Sequence, residues 1–203
     1  MDSDLYFFFV KLLGGLSRLL FRIRYVGREH VPKDGKLILC CNHRSVIDPL
    51  FLAYPLRRQV FYMAKSELFD DHGRLARWFL YRMGAFPVHR NTGDAESFRN
   101  ALSVLERGEI MGIFPQGGCV FDKDTEFKPK AGAALIAAKA KAPVLPASIY
   151  CEGRVRPFKK ITVLYGEAIP YESLGFAEGT VRESREAAKK IAAQVSQLLE
   201  ERH

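Results

Sequence analysis

The chain lacks the cysteine patterns typical of metal-binding or disulfide-rich proteins. Only four of its 203 residues are cysteine, and no two of them form a C-x-x-C pair or a zinc-ligand spacing. Two of the four, Cys40 and Cys41, are neighbours in an apolar run. We therefore expect small buried hydrophobic cysteines in a reducing compartment, and no bound metal.

No uncharged apolar run is long enough to cross a membrane. Lys11 and Arg18 interrupt the most apolar stretch, 5–21, which falls short of the roughly 18 uncharged residues of a spanning helix. This stretch has no basic leading region and no small-residue cleavage site, so we do not expect a signal peptide. The chain also has no G-x-S-x-G turn, which disfavours a serine hydrolase.

The composition predicts a folded domain with an anionic partner. Hydrophobic residues make up 48% of the chain and charged residues 27%, which excludes a disordered chain and a polytopic membrane protein. The formal net charge of +8 favours nucleic acid, an acidic lipid surface, a phosphorylated substrate or an acidic carrier protein. No nucleic-acid-binding motif is present, so we expect no nucleic-acid partner.

The N-terminal stretch predicts an amphipathic helix that lies on a membrane. On a helical wheel its apolar side chains cover most of the surface, while Arg18, Arg22 and Arg24 cluster toward its end. The alternative is a helix docked on the protein's own core. We predict a membrane-associating segment at residues 1–24 and a main domain at residues 25–203. The apolar positions are Phe7, Phe8, Val10, Leu12, Leu13, Leu16, Leu19 and Leu20.

Strand patterns alternate with helix patterns along the rest of the chain. This alternation predicts an α/β fold with a mixed, largely parallel sheet flanked by helices. The predicted strands are 22–27, 37–41, 60–64, 85–88, 110–114, 144–150 and 161–165, and the predicted helices are 50–56, 73–83, 94–107, 130–141 and 180–202.

Four polar clusters each follow a predicted strand. They are 42–48, Lys65, 89–90 and 116–118. In an open α/β sheet, groups beyond the strand ends converge on one crevice. Within the first cluster His43 is placed to act as a base, and an aspartate five positions later, Asp48, is able to fix its tautomer.

These clusters together resemble the blocks of the lysophosphatidate acyltransferase family, the PlsC-like glycerolipid acyltransferases. The stretch 42–49 is similar to the family's N-H-x-x-x-x-D block, and 84–90 to its second block, which ends in arginine. The stretch 114–117 resembles the third block, usually F-P-E-G-T-R-S, and 144–146 the proline-bearing fourth. Met63-Ala64-Lys65 resembles a family segment with a phosphate-contacting lysine, and the resemblance runs from about Tyr25 to Gly166.

The resemblance implies transfer of a fatty acyl group from a thioester to a lipid hydroxyl. His43 is expected to be the general base, and Asp48 to orient and stabilise its ring. The resemblance places residues 25–203 in an acyltransferase catalytic domain, with no metal or other cofactor. The expected substrate-binding residues are Asn42, Arg44, Lys65, Arg90, Gln116, Gly117, Gly118, Lys128 and Lys130.

The third block departs from the family pattern. Gln116 replaces its glutamate, and Gly118, Cys119 and Val120 replace its threonine, arginine and serine. The missing arginine is expected to help hold the acceptor phosphate. The lysines that follow, Lys123, Lys128 and Lys130, are expected to compensate for it.

The expected partners follow from this chemistry. They are an acyl thioester of acyl carrier protein or coenzyme A, a lysophospholipid acceptor and an anionic membrane surface. We expect a peripheral or monotopic protein on the cytoplasmic face of the cell membrane, making phosphatidate from lysophosphatidate. Two alternatives remain open: the same reaction on another lysolipid or lipid alcohol, and a non-catalytic membrane-binding relative.

Overall fold

The structure, a computed structural model, describes residues 3–89, 94–119 and 129–201. It contains a seven-stranded sheet with helices packed on both faces. In chain order the elements are α1 (Ser3–Leu20), β1 (Arg22–Val26), β2 (Leu37–Cys41), α2 (Asp48–Ala53), β3 (Val60–Lys65), α3 (Glu67–Asp70), α4 (Gly73–Arg82), β4 (Ala85–Val88), α5 (Ala95–Glu106), β5 (Ile110–Ile113), α6 (Gly132–Ala140), β6 (Val144–Cys151), β7 (Lys160–Tyr165) and α7 (Val181–Glu200). Short 3₁₀ helices lie at Arg28–His30 and Tyr171–Leu174.

The sheet is mixed and mostly parallel, as the sequence predicts. Its strand order is β1-β7-β6-β2-β5-β3-β4, and only the β6–β7 pair is antiparallel. All five residues of β2 are buried, since this strand lies at the centre of the sheet with a layer of helices on each face. The parallel strands β2, β5, β3 and β4 are neighbours, so the described polar residues that end or follow them, 42–48, 116–118, Lys65 and His89, lie at the same end of the strands.

The core consists of two layers, one on each face of the sheet. Residues of α1 and α2 pack on one face with Leu37 and Leu39 of β2. Residues of α5, α6 and α7 pack on the other face with Ile38 and Cys40. Because successive side chains of a strand point to opposite faces, the run Leu37–Cys41 contributes to both layers.

Helix boundaries follow local capping signals. The Asp94 carboxylate accepts hydrogen bonds from the backbone N–H groups of Glu96 and Ser97 at the start of α5. Thr180 and Glu183 form a reciprocal capping box at the start of α7. Helix α2 begins at Asp48, two residues before the predicted start, with Pro49 in its first turn.

Helix α1 has one docked face and one exposed face. Tyr6 and Val10 are buried in the core, and the Tyr6 hydroxyl accepts a hydrogen bond from the backbone N–H of Val60 at 3.1 Å. None of the helices in the described ranges combines the length and apolar character needed to cross a bilayer. Strand β1, which pairs with β7, crosses the predicted boundary between residues 24 and 25. The membrane contact and the division at this boundary stay predictions. The exposed apolar side chains of α1 are Phe8, Leu12, Leu16, Leu19 and Leu20.

Two adjacent glycines in α1 test its docking on α2. A methyl group added at Gly14 overlaps the ring of Tyr54, whereas one added at Gly15 meets nothing. We expect Gly14→Ala to lower the free energy of unfolding by about 1–3 kcal/mol, because the helix must shift from α2. The matched control Gly15→Ala is expected to raise it by about 0.5–1 kcal/mol through helix propensity. Chemical unfolding of both variants measures the difference, and equal effects contradict the docked orientation.

Candidate active site

The first polar cluster forms a tight loop around one carboxylate oxygen. His43 Nδ1 lies 2.8 Å from Asp48 Oδ2, and the backbone N–H groups of Arg44 and Ser45 donate to the same oxygen at 2.6 and 2.8 Å. The Asp48 side chain is fully buried, while that of His43 is 16% exposed. Because a carboxylate only accepts, Nδ1 carries the hydrogen, and Nε2 is left with a lone pair. This arrangement suits a base that takes a proton from a bound hydroxyl.

An aromatic stack fixes the orientation of the imidazole. The Phe114 ring lies parallel to the His43 ring, with centroids 4.0 Å apart and an interplanar angle of 16°. The Tyr62 ring is also parallel to that of Phe114, with centroids 5.9 Å apart, and the Tyr62 hydroxyl donates to the Pro49 carbonyl at 3.2 Å. Hydrogen bonding to Asp48 and stacking on Phe114 together leave the ring little rotational freedom.

Gln116 binds the backbone of the loop that carries His43 and Asp48. Its Oε1 accepts a hydrogen bond from the His43 N–H at 2.8 Å. The Gly117 N–H donates to the Phe114 carbonyl at 2.9 Å, closing a turn in which Gly117 has the left-handed φ of 73°. Gln116 is therefore a positioning contact for His43, and a neutral amide oxygen is sufficient for it.

Asn42 and Arg44 connect the loop to β6 and to the loop that follows it. The buried Asn42 side chain accepts from the Ile149 N–H at 2.8 Å and donates to the Ile149 carbonyl at 3.0 Å. Arg44 Nη2 donates to the Gly153 carbonyl at 2.6 Å. These contacts are structural, and direct substrate binding by either side chain stays a prediction.

Two of the predicted phosphate-binding cations, Lys65 and Lys130, lie near the same ends of the strands as the His43–Asp48 loop. Lys65 is the exposed last residue of β3. The backbone N–H of Lys130 donates to the Pro115 carbonyl at 2.9 Å, and its side chain lies against Gly117. Gly118 is half-buried beside this turn. Arg90, Lys123 and Lys128 lie outside the described residues.

A cavity of about 550 Å³ opens beside Phe114. Its wall includes the apolar side chains of Met63, Phe98, Ile113 and Ile136, with Lys130 also in the lining. The cavity lies between the ends of β3 and β5 and the first turns of α5 and α6. It is thus an apolar space adjacent to the residue that stacks on His43.

Neither cysteine of β2 has the character of a nucleophile. Burial raises the pKa of the Cys40 thiol to about 12. Burial also raises the pKa of the Cys41 thiol well above its usual range, and the nearby Asp48 charge adds to the increase. Both thiols stay protonated at neutral pH. In the described part of the chain, no group of three or more His, Cys, Asp or Glu residues is arranged to hold a metal ion.

Three contacts of the site are not predicted by the sequence patterns. These are the His43–Phe114–Tyr62 stack, the Gln116 contact to the His43 backbone and the Asn42 anchor on Ile149. Phe114 and Gln116 belong to the third block, so their presence near the site was indicated. The partners of these residues were not predicted, because each contact joins residues more than 50 positions apart in the sequence.

Known proteins are similar to this chain in sequence and in fold. A relative from Bacillus subtilis (strain 168), named 1-acyl-sn-glycerol-3-phosphate acyltransferase, is 35% identical over 131 residues, covering 62% of this chain and 61% of the relative. A Streptococcus pneumoniae relative of the same name is 32% identical over 145 residues, covering 68% of this chain and 53% of the relative. The chain thus spans between half and two thirds of the length of these curated relatives.

The fold matches a solved structure as well. The crystal structure of the 1-acyl-sn-glycerophosphate acyltransferase PlsC from Thermotoga maritima superposes with a TM-score of 0.67 at 24% identity, covering 88% of this chain and 71% of that one. The family model described as Acyltransferase matches residues 22–150, more than half of the chain. These matches confirm the resemblance predicted from the sequence blocks, and the chain belongs to the Acyltransferase family.

Proposed function

We propose that this protein transfers a fatty acyl group from an acyl thioester to the free hydroxyl of lysophosphatidate, giving phosphatidate. The observation that carries the proposal is the 2.8 Å contact between His43 Nδ1 and the buried Asp48 carboxylate. It occurs in a family member whose relatives are named 1-acyl-sn-glycerol-3-phosphate acyltransferases. A substrate hydroxyl supplies the nucleophile, so no protein serine is required.

The dyad supports a direct transfer mechanism. His43 Nε2 takes the proton of the acceptor hydroxyl as its oxygen attacks the thioester carbonyl carbon, and Asp48 stabilises the imidazolium that forms. Collapse of the tetrahedral intermediate breaks the carbon–sulfur bond, and the imidazolium returns the proton to the leaving thiolate. We assign the oxyanion contact to the Gly118 N–H, because the Gly117 N–H already donates to Phe114.

Cations around the third block are proposed to hold the acceptor phosphate. Lys130 is supported by its position against Gly117, and Lys65 by its place at the end of the neighbouring strand. We also assign Arg90 and Lys128 to this group from their sequence positions. A phosphate monoester carries close to two negative charges at neutral pH and is best held by several cations.

The apolar cavity beside Phe114 suits the acyl chain of the donor. Its wall is mainly aliphatic and aromatic, and it begins at the residue stacked on the base. A chain bound there places its thioester carbonyl near His43. The donor is an acyl carrier protein or coenzyme A thioester, which acts as a co-substrate, and the reaction as proposed needs no cofactor.

We place the protein at the cytoplasmic face of the membrane as a peripheral or monotopic enzyme, with residues 1–24 as a membrane-associating segment and 25–203 as the catalytic domain. The exposed stripe of α1, which includes Phe8, Leu12 and Leu16, supports this placement. Because Tyr6 and Val10 belong to the core, deletion of α1 tests folding and anchoring together. Substitutions on the exposed stripe separate the two.

The altered third block supports a second candidate acceptor. Gln116 and Cys119 are neutral where the family pattern has a glutamate and an arginine. An acceptor without a phosphate monoester, such as another lysolipid or a lipid alcohol, needs fewer cations at this position. Assays with both acceptor types, with products identified by mass spectrometry, distinguish the two candidates.

The dyad is tested by substitution at both positions and at a neighbour. We expect His43→Ala and Asp48→Asn each to lower the rate of acyl transfer by about 100- to 10,000-fold, since general-base help is worth that much. Ser45→Ala is the matched control, because among the described residues its hydroxyl accepts one long hydrogen bond, from the Ile47 N–H at 3.5 Å. Near-normal turnover by purified, folded His43→Ala contradicts the assignment.

The lysine cluster is tested through the KM for the acceptor. We expect Lys130→Ala and Lys128→Ala each to raise the KM for lysophosphatidate about tenfold with little change in kcat, because a charged hydrogen bond to phosphate is lost. Lys141→Ala, at the far end of α6, is the control. Unchanged KM values in both cluster variants remove these lysines from the site.

A further inference from the structure

The loop between β6 and β7 has a strongly basic surface. Residues 152–160 contain four cations and a single carboxylate, that of Glu152. Arg154, Arg156 and Lys160 are exposed, and Lys159 is half-buried. A loop of this charge favours a polyanionic partner.

Phe158 is exposed near the end of this loop, two residues before β7. Its side chain is 77% exposed, and its backbone has a φ of 67°. A left-handed conformation is uncommon for a bulky residue, and asparagine or glycine adopts it at lower cost. The fold therefore presents a large apolar side chain to solvent at a position where packing does not require one.

The loop is attached to the end of α1. The Phe158 N–H donates to the Leu20 carbonyl at 2.7 Å, and the Arg22 N–H donates to the Lys159 carbonyl at 3.1 Å. Leu19, next to this junction, is 79% exposed. The exposed apolar end of α1 thus lies next to Phe158, and Arg22 is in register with Lys160, so cations of the loop and of β1 are neighbours.

The same loop lies beside the dyad. The Arg44 guanidinium donates to the Gly153 carbonyl at 2.6 Å, and Arg44 also contributes its backbone N–H to Asp48. A partner that binds the β6–β7 loop is therefore connected to the His43–Asp48 loop through a single residue, Arg44.

We propose that the β6–β7 loop is a second membrane contact, in which Phe158 inserts between lipids and Arg156 and Lys159 bind anionic headgroups. This inference rests on the proposed function, since the added contact orients His43 and Asp48 toward the membrane that contains the lipid acceptor. An acidic carrier protein matches the cations, but the exposed apolar end of α1 next to Phe158 favours a bilayer.

Phe158→Asn tests the insertion. Flotation with vesicles of phosphatidylcholine, alone or mixed with phosphatidylglycerol, measures the partition coefficient. We expect Phe158→Asn to lower it about tenfold or more on both vesicle types, because an apolar side chain is lost from the bilayer. Its thermal unfolding temperature is expected to equal or exceed that of the wild type, since asparagine tolerates the left-handed backbone. Partition equal to the wild type overturns the proposal.

The headgroup contact is tested by neutralising the loop. The double variant Arg156→Gln/Lys159→Gln is expected to lose about fivefold in partition per cation on the anionic vesicles, and nothing on pure phosphatidylcholine. The matched control Lys139→Gln/Lys141→Gln removes the same charge at the end of α6 and is expected to bind as the wild type does. Equal losses in the two double variants mean that only net charge acts, which contradicts a local contact.

A fluorescence reporter measures depth directly. The chain has one tryptophan, so Trp78→Phe combined with Phe158→Trp places the only indole at position 158 of the loop. We expect its emission to shift to shorter wavelength on vesicle binding and to be quenched by lipids brominated on their acyl chains. Emission unchanged by either vesicle overturns the proposal. So does a loop variant that floats normally but has a raised KM for acyl carrier protein, since the loop then binds a protein.

These readouts do not depend on catalysis. His43→Ala is expected to float as the wild type does, while acylation of lysophosphatidate in detergent micelles tests the proposed function without a bilayer. Failure of the micelle assay with normal loop-dependent flotation rejects the function alone. Normal acylation with flotation that is insensitive to the loop rejects the membrane contact alone.

Discussion

The site depends on a single buried oxygen atom. Oδ2 of Asp48 accepts from the His43 imidazole and from two backbone N–H groups, while Oδ1 has no hydrogen-bond partner within the described residues. A buried carboxylate is costly unless charge-assisted hydrogen bonds compensate for lost hydration. Three donors on one oxygen provide that compensation, and they also fold the intervening residues into a fixed loop. The spacing between histidine and aspartate is therefore a structural requirement as well as a chemical one.

The loop also makes contacts with residues of, or just after, both neighbouring strands. The placement of His43 therefore depends on the order of strands in the sheet. On one side Gln116, which follows β5, accepts from the His43 backbone. On the other side Asn42 binds Ile149 of β6, and Arg44 binds Gly153 beyond it. Because β2 lies between β5 and β6, these contacts hold the same short segment from two sides. Conformational freedom of the imidazole is removed before substrate binds, which is the condition for efficient general-base catalysis.

The sequence predicted the parts of this arrangement that are local. The apolar run of β2, the histidine at its end and the aspartate five residues later lie within a dozen positions, and periodicity and spacing were enough to predict them. The α/β fold was predicted because strand and helix patterns alternate. Contacts between distant segments were not predicted, because the Phe114 stack on His43 requires knowledge that β5 lies beside β2. The two faces of α1 were not separated either, since apolar side chains cover most of its wheel and only packing selects Tyr6 and Val10.

The same contacts explain how the third block tolerates its substitutions. A glutamate at position 116 is able to accept the His43 N–H hydrogen bond as a carboxylate, and the Gln116 amide oxygen makes this contact without a charge. Replacing the family's glutamate and arginine by Gln116 and Cys119 removes one negative and one positive charge, so the net charge of the block is unchanged. The substitutions therefore change the electrostatic field locally, at positions 116 and 119, while the total charge of the third block stays the same. The hydrogen bonds that position His43 run to its own backbone and to Asp48, and they are separate from the cations that we propose for the acceptor phosphate.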